Sequence, residues 1–496
     1  MFDEIVHIFP WLNCTLLILL CSGHATGQLP AAEPDRYRVR FSENGDVKVS
    51  AQLFVRTGSL VMEAGIQPDT RCANVAALRV TAPDGTSLAV QYGQQQPRWT
   101  LPTSNPQRIN LSYTVHLSGL RALPIWAHLQ YGFFDGDAVY IVTKGIFIVP
   151  DSTDSTAEVR VGFDLPSGSE LAAPWPYDEE RRIYATTVAK LVNNSIVEGK
   201  FPRVVCREGN FSINVALLGQ WSEHREAVER VIRGSVARDL SLFPGTPPDH
   251  YLVTLASGDE DGQSFTTSNA ISTRLPINLD DTEIWANTIA HELFHYWNAR
   301  LLHTSDKRLA FFVEGFTEYY ANRQILAASL IDQRRYWNMA ALHLGAYSYF
   351  NYSPNYRVSI ADAGLDKTGN RFGVYDGGWT VALCLDLEQR AESQNHRSLD
   401  DLMKLLWRRY GEKSLAFSYA DFVRTIGEGM GHDMTQFFAK YVIGTEELPF
   451  RNDLAQIGVA AYDQPFGGEA YIKAAPRAGI ERKAYDGFLA FDKPGP

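Results

Sequence analysis

Two histidines and a glutamate stand together in "AHELFHYWNAR", residues 290–300, in the spacing H-E-x-x-H. If this stretch is helical, His291 and His295 lie one above the other on one face, so both imidazoles reach a single ion. Glu292 is turned about 100° from His291. It is poorly placed as a third ligand, but it can lean over an open coordination position and take a proton from a bound water. A catalytic zinc needs a third protein ligand. A histidine six residues after the second, with a glycine between, would serve, but Leu301 and Asn298 stand at those positions. The other source is a glutamate on a following helix. "LAFFVEGFTEYYANRQ" supplies Glu314 in an apolar run, with 18 residues separating it from His295. A carboxylate among Phe312, Val313 and Phe316 is costly to bury without a partner, and a metal is such a partner. Glu318, four residues on, shares that face and can accept a hydrogen bond from a liganding imidazole, fixing its tautomer. The bland readings are a chance motif and solvated glutamates. Two such stretches, each in an apolar helical run, favour the metal.

These side chains need helices to carry them. "DDTEIWANTIAHELFHYWNARLL" opens with Asp280 and, three residues on, Glu283, a capping pair. From about Glu223 onward apolar residues recur at three- and four-residue spacing, as in "GGWTVALCLDLEQRAE" and, behind a Ser N-cap, "SLDDLMKLLWRRYGE". From about Tyr37 to Asp164 the period is two. "YRVRFSENGDVKVSAQLFV" alternates around an Asn-Gly turn signal, and "DAVYIVTKGIFIVP" is rich in β-branched and aromatic residues, broken at Gly145. The expected fold is α+β and multidomain: an all-β N-terminal domain, then a mainly α-helical domain.

The chain has 496 residues, 45% hydrophobic and 21% charged, enough for several cores. A net charge of −11 excludes the basic face that nucleic acid needs. "FPWLNCTLLILLCSGHATG", residues 9–27, has a short apolar centre followed by small residues, the pattern of a secretory signal. Asp3 and Glu4 precede it with no Lys or Arg, so an uncleaved anchor is the alternative. No later stretch is apolar enough to span a membrane. Removal of residues 1–27 leaves Cys72, Cys206 and Cys384; the first two can pair in an oxidising compartment, and Cys384 reads as a buried thiol. Asn110 and Asn210 open glycosylation sequons that matter only in a eukaryotic host.

Taken together, H-E-x-x-H, 18 residues and then Glu is the ligand pattern of the thermolysin-like gluzincins. Within these, "HELFHYWNAR", "VEGFTEYY", "YDGGWTVALCLDLEQR", "SLDDLMKLLW" and "YVIGTEELPF" resemble the glycyl aminopeptidase family, over about Glu223 to Phe450. The resemblance implies a signal over 1–27, a β-rich domain over 28–170, a thermolysin-like zinc peptidase domain over 171–450 and a tail over 451–496. It implies one zinc per chain, held by His291, His295 and Glu314, with Glu292 as general base. Tyr375 matches the tyrosine that steadies the tetrahedral intermediate. Its phenol can donate to an oxyanion without carrying charge itself; a buried packing tyrosine is the alternative. The implied activity is release of small N-terminal residues, Gly or Ala, from a peptide or protein substrate, and the signal pattern predicts that the enzyme itself is exported, periplasmic or secreted.

Two departures stand out. The family carries a Glu, in a Gly-rich edge strand, that binds the substrate's free amino terminus. Here the stretch is "DGQSFTTSNAIS", with Ser264 or Phe265 where the acid belongs and Asp259, Glu260 and Asp261 nearby. This motivates one alternative, an endopeptidase on the same scaffold; a second, a non-catalytic zinc-containing peptide-binding protein, is favoured if Tyr375 does not face the metal or if "SFTTSN" closes the cleft. Second, the residues after Phe450 are too few for the PDZ-like module that family members often carry. Arg300 is expected in a structural salt bridge, and Phe294, Tyr296 and Trp297 in the core.

Overall fold

The computed structural model describes residues 33–490, apart from 43–44, 64–73, 94–97, 103–104, 152, 210, 247–248, 259–260, 274–281, 357 and 464–469. The expected signal, Cys72, Asn210, Asp259, Glu260 and Asp280 lie outside the described residues.

Alternation builds the first half. In Asp35–Phe41, Tyr37, Val39 and Phe41 point inward and the arginines between them outward. The strand pairs antiparallel with Asp46–Val55, Val39 opposite Val49, so one register buries both apolar rows. Six more strands complete an eight-stranded sheet. Its inner face packs on Ile141, Phe147 and Trp175. "DAVYIVTKGIFIVP" becomes two strands, Ala138–Val142 and Ile148–Pro150, joined by the turn Thr143–Gly145.

The second half is mostly helical, with one difference from the periodicity. Beyond Glu223 the strands His250–Ser257, Asp261–Ser264 and Ser268–Thr273 interrupt the helices. They join Arg203–Glu208 and Phe211–Leu217 in a five-stranded mixed sheet, with Asp261–Ser264 at its edge. "SNAIST" is buried at every position although four of its six residues are polar, so no alternation marks it in the sequence. Its first residue, Ser268, is met by the β-rich half. The Ser268 hydroxyl and the Thr267 backbone N–H donate to the Asn194 carboxamide oxygen, each at 2.9 Å, and the Ser195 N–H donates to the Ser268 hydroxyl at 2.9 Å. The β-rich half thereby braces the bend that follows the edge strand, since a buried polar group must find a partner.

Helix Thr282–Phe294 carries the H-E-x-x-H residues and packs on helices Arg225–Leu242 and Thr317–Ala327. Phe294, Tyr296 and Trp297 are buried in the core, with the Trp297 indole donating to Thr246. After Phe450 the chain forms a short helix, a hairpin and helix Ile480–Leu489. That last helix docks through Phe488, whose ring lies 4.6 Å from the Arg323 guanidinium and whose carbonyl accepts from Arg323 at 2.8 Å. Among the described residues no helix is long and apolar enough to cross a membrane.

A glycine contact sets the spacing of the helical half. Gly315 and Gly378 lie where two wide, π-helical turns cross, Phe312–Phe316 and Gly373–Gly377 with the helices they lead into. A Cβ on Gly378 would sit 2.3 Å from the Phe311 carbonyl oxygen, and one on Gly315 would sit 2.4 Å from the Gly378 backbone. Only backbone fits there. Gly378→Ala should therefore push the helices apart and cost about 1–3 kcal/mol, the range for overpacking. An unchanged urea midpoint would show that the crossing tolerates a methyl group.

Candidate metal centre

The motif helix places the imidazoles, and their outer nitrogens are tied down. His291 Nδ1 donates to Glu318 Oε2 at 2.8 Å, and His295 Nδ1 donates to the Asn298 carbonyl at 3.2 Å. Both Nε2 atoms are left facing inward, 3.0 Å apart. Glu314 Oε2 lies 3.4 Å from one and 3.3 Å from the other. Two ring nitrogens and a carboxylate oxygen thus converge on one point. Three electron-rich atoms this close repel unless positive charge lies between them. Burial disfavours a charged His291, but Glu314, Glu318 and Glu292 outweigh it and push its pKa up to about 10. Burial likewise opposes charge on Glu314, yet His295, His291 and Lys367 hold it well below the usual carboxylate range. The donor set is neutral imidazole plus carboxylate in tetrahedral reach, the chemistry that suits zinc.

Glu314 and Glu292 are separated by what surrounds them. Glu314 Oε1 accepts from Lys367 Nζ at 2.6 Å, so its other oxygen is fixed toward the imidazoles. Among the described residues no hydrogen bond holds Glu292. Its ligand atoms lie within 4.8 Å of those of His291 and His295. It is packed by Gly262 on the edge strand, where a Cβ would sit 2.2 Å from Glu292 Oε1. Burial raises its pKa, against the pull of the imidazoles, as suits a base working near neutral pH.

Glu318 is the centre of a second layer that the sequence only partly revealed. Besides His291 it accepts from Asn287 at 2.8 Å and Asn322 at 3.2 Å, and His343 Nε2 lies 3.4 Å away. His343 Nδ1 reaches Asp376 at 2.7 Å, next to Tyr375. His343 and Asp376 were missed because nothing in linear spacing ties helix Gln333–Tyr352 to the turn Gly373–Gly377. Asn298, 0% exposed, donates its amide to the Phe312 carbonyl and the Thr317 hydroxyl, each at 3.1 Å. One residue thus orients His295 and anchors the turn that carries Glu314.

Tyr375 is half-buried. Its ring stacks with His291 at 6.1 Å, and Lys367 and Arg371 lie 5.2 and 4.8 Å from its centre. Burial raises its pKa, so the phenol keeps its proton. Arg300 departs from expectation. It forms no ion pair among the described residues; its guanidinium donates to the Ser264 carbonyl at 2.7 Å. The edge strand offers a carbonyl there, which the Gln263 carboxamide also reaches at 3.3 Å, and Glu292, the carboxylate that acts on Arg300, forms no ion pair with it. Asp261 stands exposed at the far end of that strand.

This arrangement can be compared with known proteins. Residues 285–398 match the M61 glycyl aminopeptidase family. The M61 segment runs from three residues after the start of the motif helix to the cap of helix Leu399–Leu406. It includes the imidazoles, both candidate carboxylates and Tyr375. No curated protein matches the chain in sequence. In fold it is similar to an aminopeptidase N family protein from Idiomarina loihiensis, with 16% identity, a TM-score of 0.72, and coverage of 88% of this chain and 81% of that one. It is also similar to an M1 zinc metallopeptidase from Deinococcus radiodurans, with 15% identity, a TM-score of 0.50, and coverage of 84% and 94%. A variant of that enzyme is described bound to the tripeptide substrate Tyr-Ser-Ala. These neighbours share the order of a β-rich N-terminal part and a helical part.

Proposed function

We propose that the chain is a zinc-dependent metallopeptidase. In this reading His291, His295 and Glu314 hold one zinc per chain, Glu292 is the general base, and Tyr375 donates to the oxyanion. The observation that carries it is the convergence of two tied imidazoles and Glu314 on one point, beside a glutamate that has no hydrogen bond among the described residues. The M61 match over residues 285–398 supports the same reading.

A bound zinc would supply Lewis-acid polarisation of a water and of the scissile carbonyl. Glu292 takes the attacking water's proton and delivers it to the leaving amine. Glu318 and the Asn298 carbonyl keep the imidazole lone pairs aimed inward. The Tyr375 phenol, beside Lys367 and Arg371, donates to the oxygen where charge develops. The edge strand Asp261–Ser264 can pair with the substrate backbone.

The M61 resemblance supports release of a small N-terminal residue, Gly or Ala. A second reading is cleavage within a chain, favoured by Ser264 standing where the amino-terminus acid belongs and by Arg300, whose guanidinium donates to the Ser264 carbonyl. The substrate is a peptide or protein, and the apolar run in residues 9–27 supports export. The division into residues 28–170, 171–450 and 451–496 is part of the same proposal.

The test is metal analysis of the purified full chain together with hydrolysis of a mixed set of short peptides followed by mass spectrometry. One zinc per chain and hydrolysis that stops on chelation are expected. A zinc-loaded chain that cuts no peptide would favour a non-catalytic zinc-containing peptide-binding protein.

A further inference from the structure

The edge strand is the place where a substrate backbone can be added to this molecule. Asp261–Ser264 is the last strand of its sheet and pairs, among the described residues, only with Ser268–Thr273. Gly262 marks the reaction centre along it, because its missing side chain leaves room for the Glu292 carboxylate. Gly262 and Ser264 share a face of the strand, since side chains alternate. A chain added antiparallel runs from the Ser264 end toward the Asp261 end, so the residues on the acyl side of the scissile bond lie beside Ser264.

The charge waiting there is a cation. Arg300 spends one N–H on the Ser264 carbonyl at 2.7 Å and is otherwise without an ion pair among the described residues. It is solvent-exposed, yet neighbours wall it in: burial lowers its pKa, and Tyr251 and Glu292 pull the other way. It is held there by Ala299, whose φ of 150° no side-chain-bearing residue adopts easily. Behind the strand the buried Tyr251 hydroxyl lies with the Ser264 hydroxyl and the Asn269 carboxamide, and none of these three carries negative charge.

We infer that Arg300, with Ser264, forms a subsite for the acyl side of the substrate that takes a carbonyl or carboxylate oxygen and disfavours a free ammonium. The substrates are then internal or N-blocked peptides. This rests on the metallopeptidase reading.

The experiment compares one peptide in three forms: free, N-acetylated and N-succinylated. Binding is read by competition on the Glu292→Gln full chain, and cleavage on the wild type. The acetyl or succinyl form should be favoured over the free form by roughly 10-fold or more, the scale of a charge-assisted hydrogen bond. Succinyl above acetyl identifies a carboxylate as the preferred group; equality identifies the carbonyl. Ser264→Glu, which sets an acid against Arg300, should shift the ratio toward the free peptide by a similar factor, and Arg300→Lys should preserve the wild-type order. A wild type that prefers the free peptide, or a ratio unmoved by Ser264→Glu, overturns the subsite. A zinc-loaded wild type that cuts none of the three overturns the metallopeptidase reading instead, while the binding order still decides the subsite.

Discussion

Glu292→Gln should leave zinc bound and peptide binding intact while lowering kcat about 10³-fold, the middle of the range for loss of a positioned acid–base group. The two side chains have nearly the same shape, so the contact with Gly262 is kept. Among the described residues Glu292 accepts no hydrogen bond that an amide would break. What changes is that a carboxamide cannot take a proton from water at ordinary pH. Zinc content and kcat measured on the same preparation separate the possibilities. Loss of metal would make Glu292 a ligand. A drop in kcat smaller than tenfold would mean that another group moves the proton.

Removing the metal should abolish activity and lower the unfolding temperature. The physical case lies in the three converging atoms. His291 and His295 have their Nδ1 hydrogens committed to Glu318 and Asn298, so their lone pairs must face each other and Glu314. Positive charge there stabilises the folded chain and has no preformed site in the unfolded one. At a metal concentration 100 times Kd this linkage is worth about 2.7 kcal/mol. A chelator should therefore lower the melting temperature by several degrees, and added zinc should restore both stability and activity. Glu314→Gln should bind little zinc, show no activity and melt at a temperature the chelator no longer changes. A chelator-sensitive Glu314→Gln would place the third ligand elsewhere.

These two expectations differ in how much of them the sequence contains. The spacing of His291, Glu292 and His295 is a local property. Four residues on a helix return to the same face whatever surrounds them, so the imidazole pair was legible as soon as the stretch was helical. Glu314 was legible because an apolar helical run makes a lone carboxylate conspicuous. The alternation of "YRVRF" likewise determined a strand with one buried face, since a period of two has no other use in a packed protein. Tertiary structure decided the rest. The buried strand "SNAIST" was illegible because it is buried on both faces and so shows no alternation, and because the partners of Ser268, Asn194 and Ser195, come from another part of the chain. His343, Asp376 and Lys367 gained their places only when the Gly315–Gly378 crossing brought two helices into backbone contact. Arg300 read as one half of a salt bridge because charge alone is visible in a sequence. Its true partner, the Ser264 carbonyl, is a backbone group that every residue carries, and only the fold determines which carbonyl is left without a strand beside it.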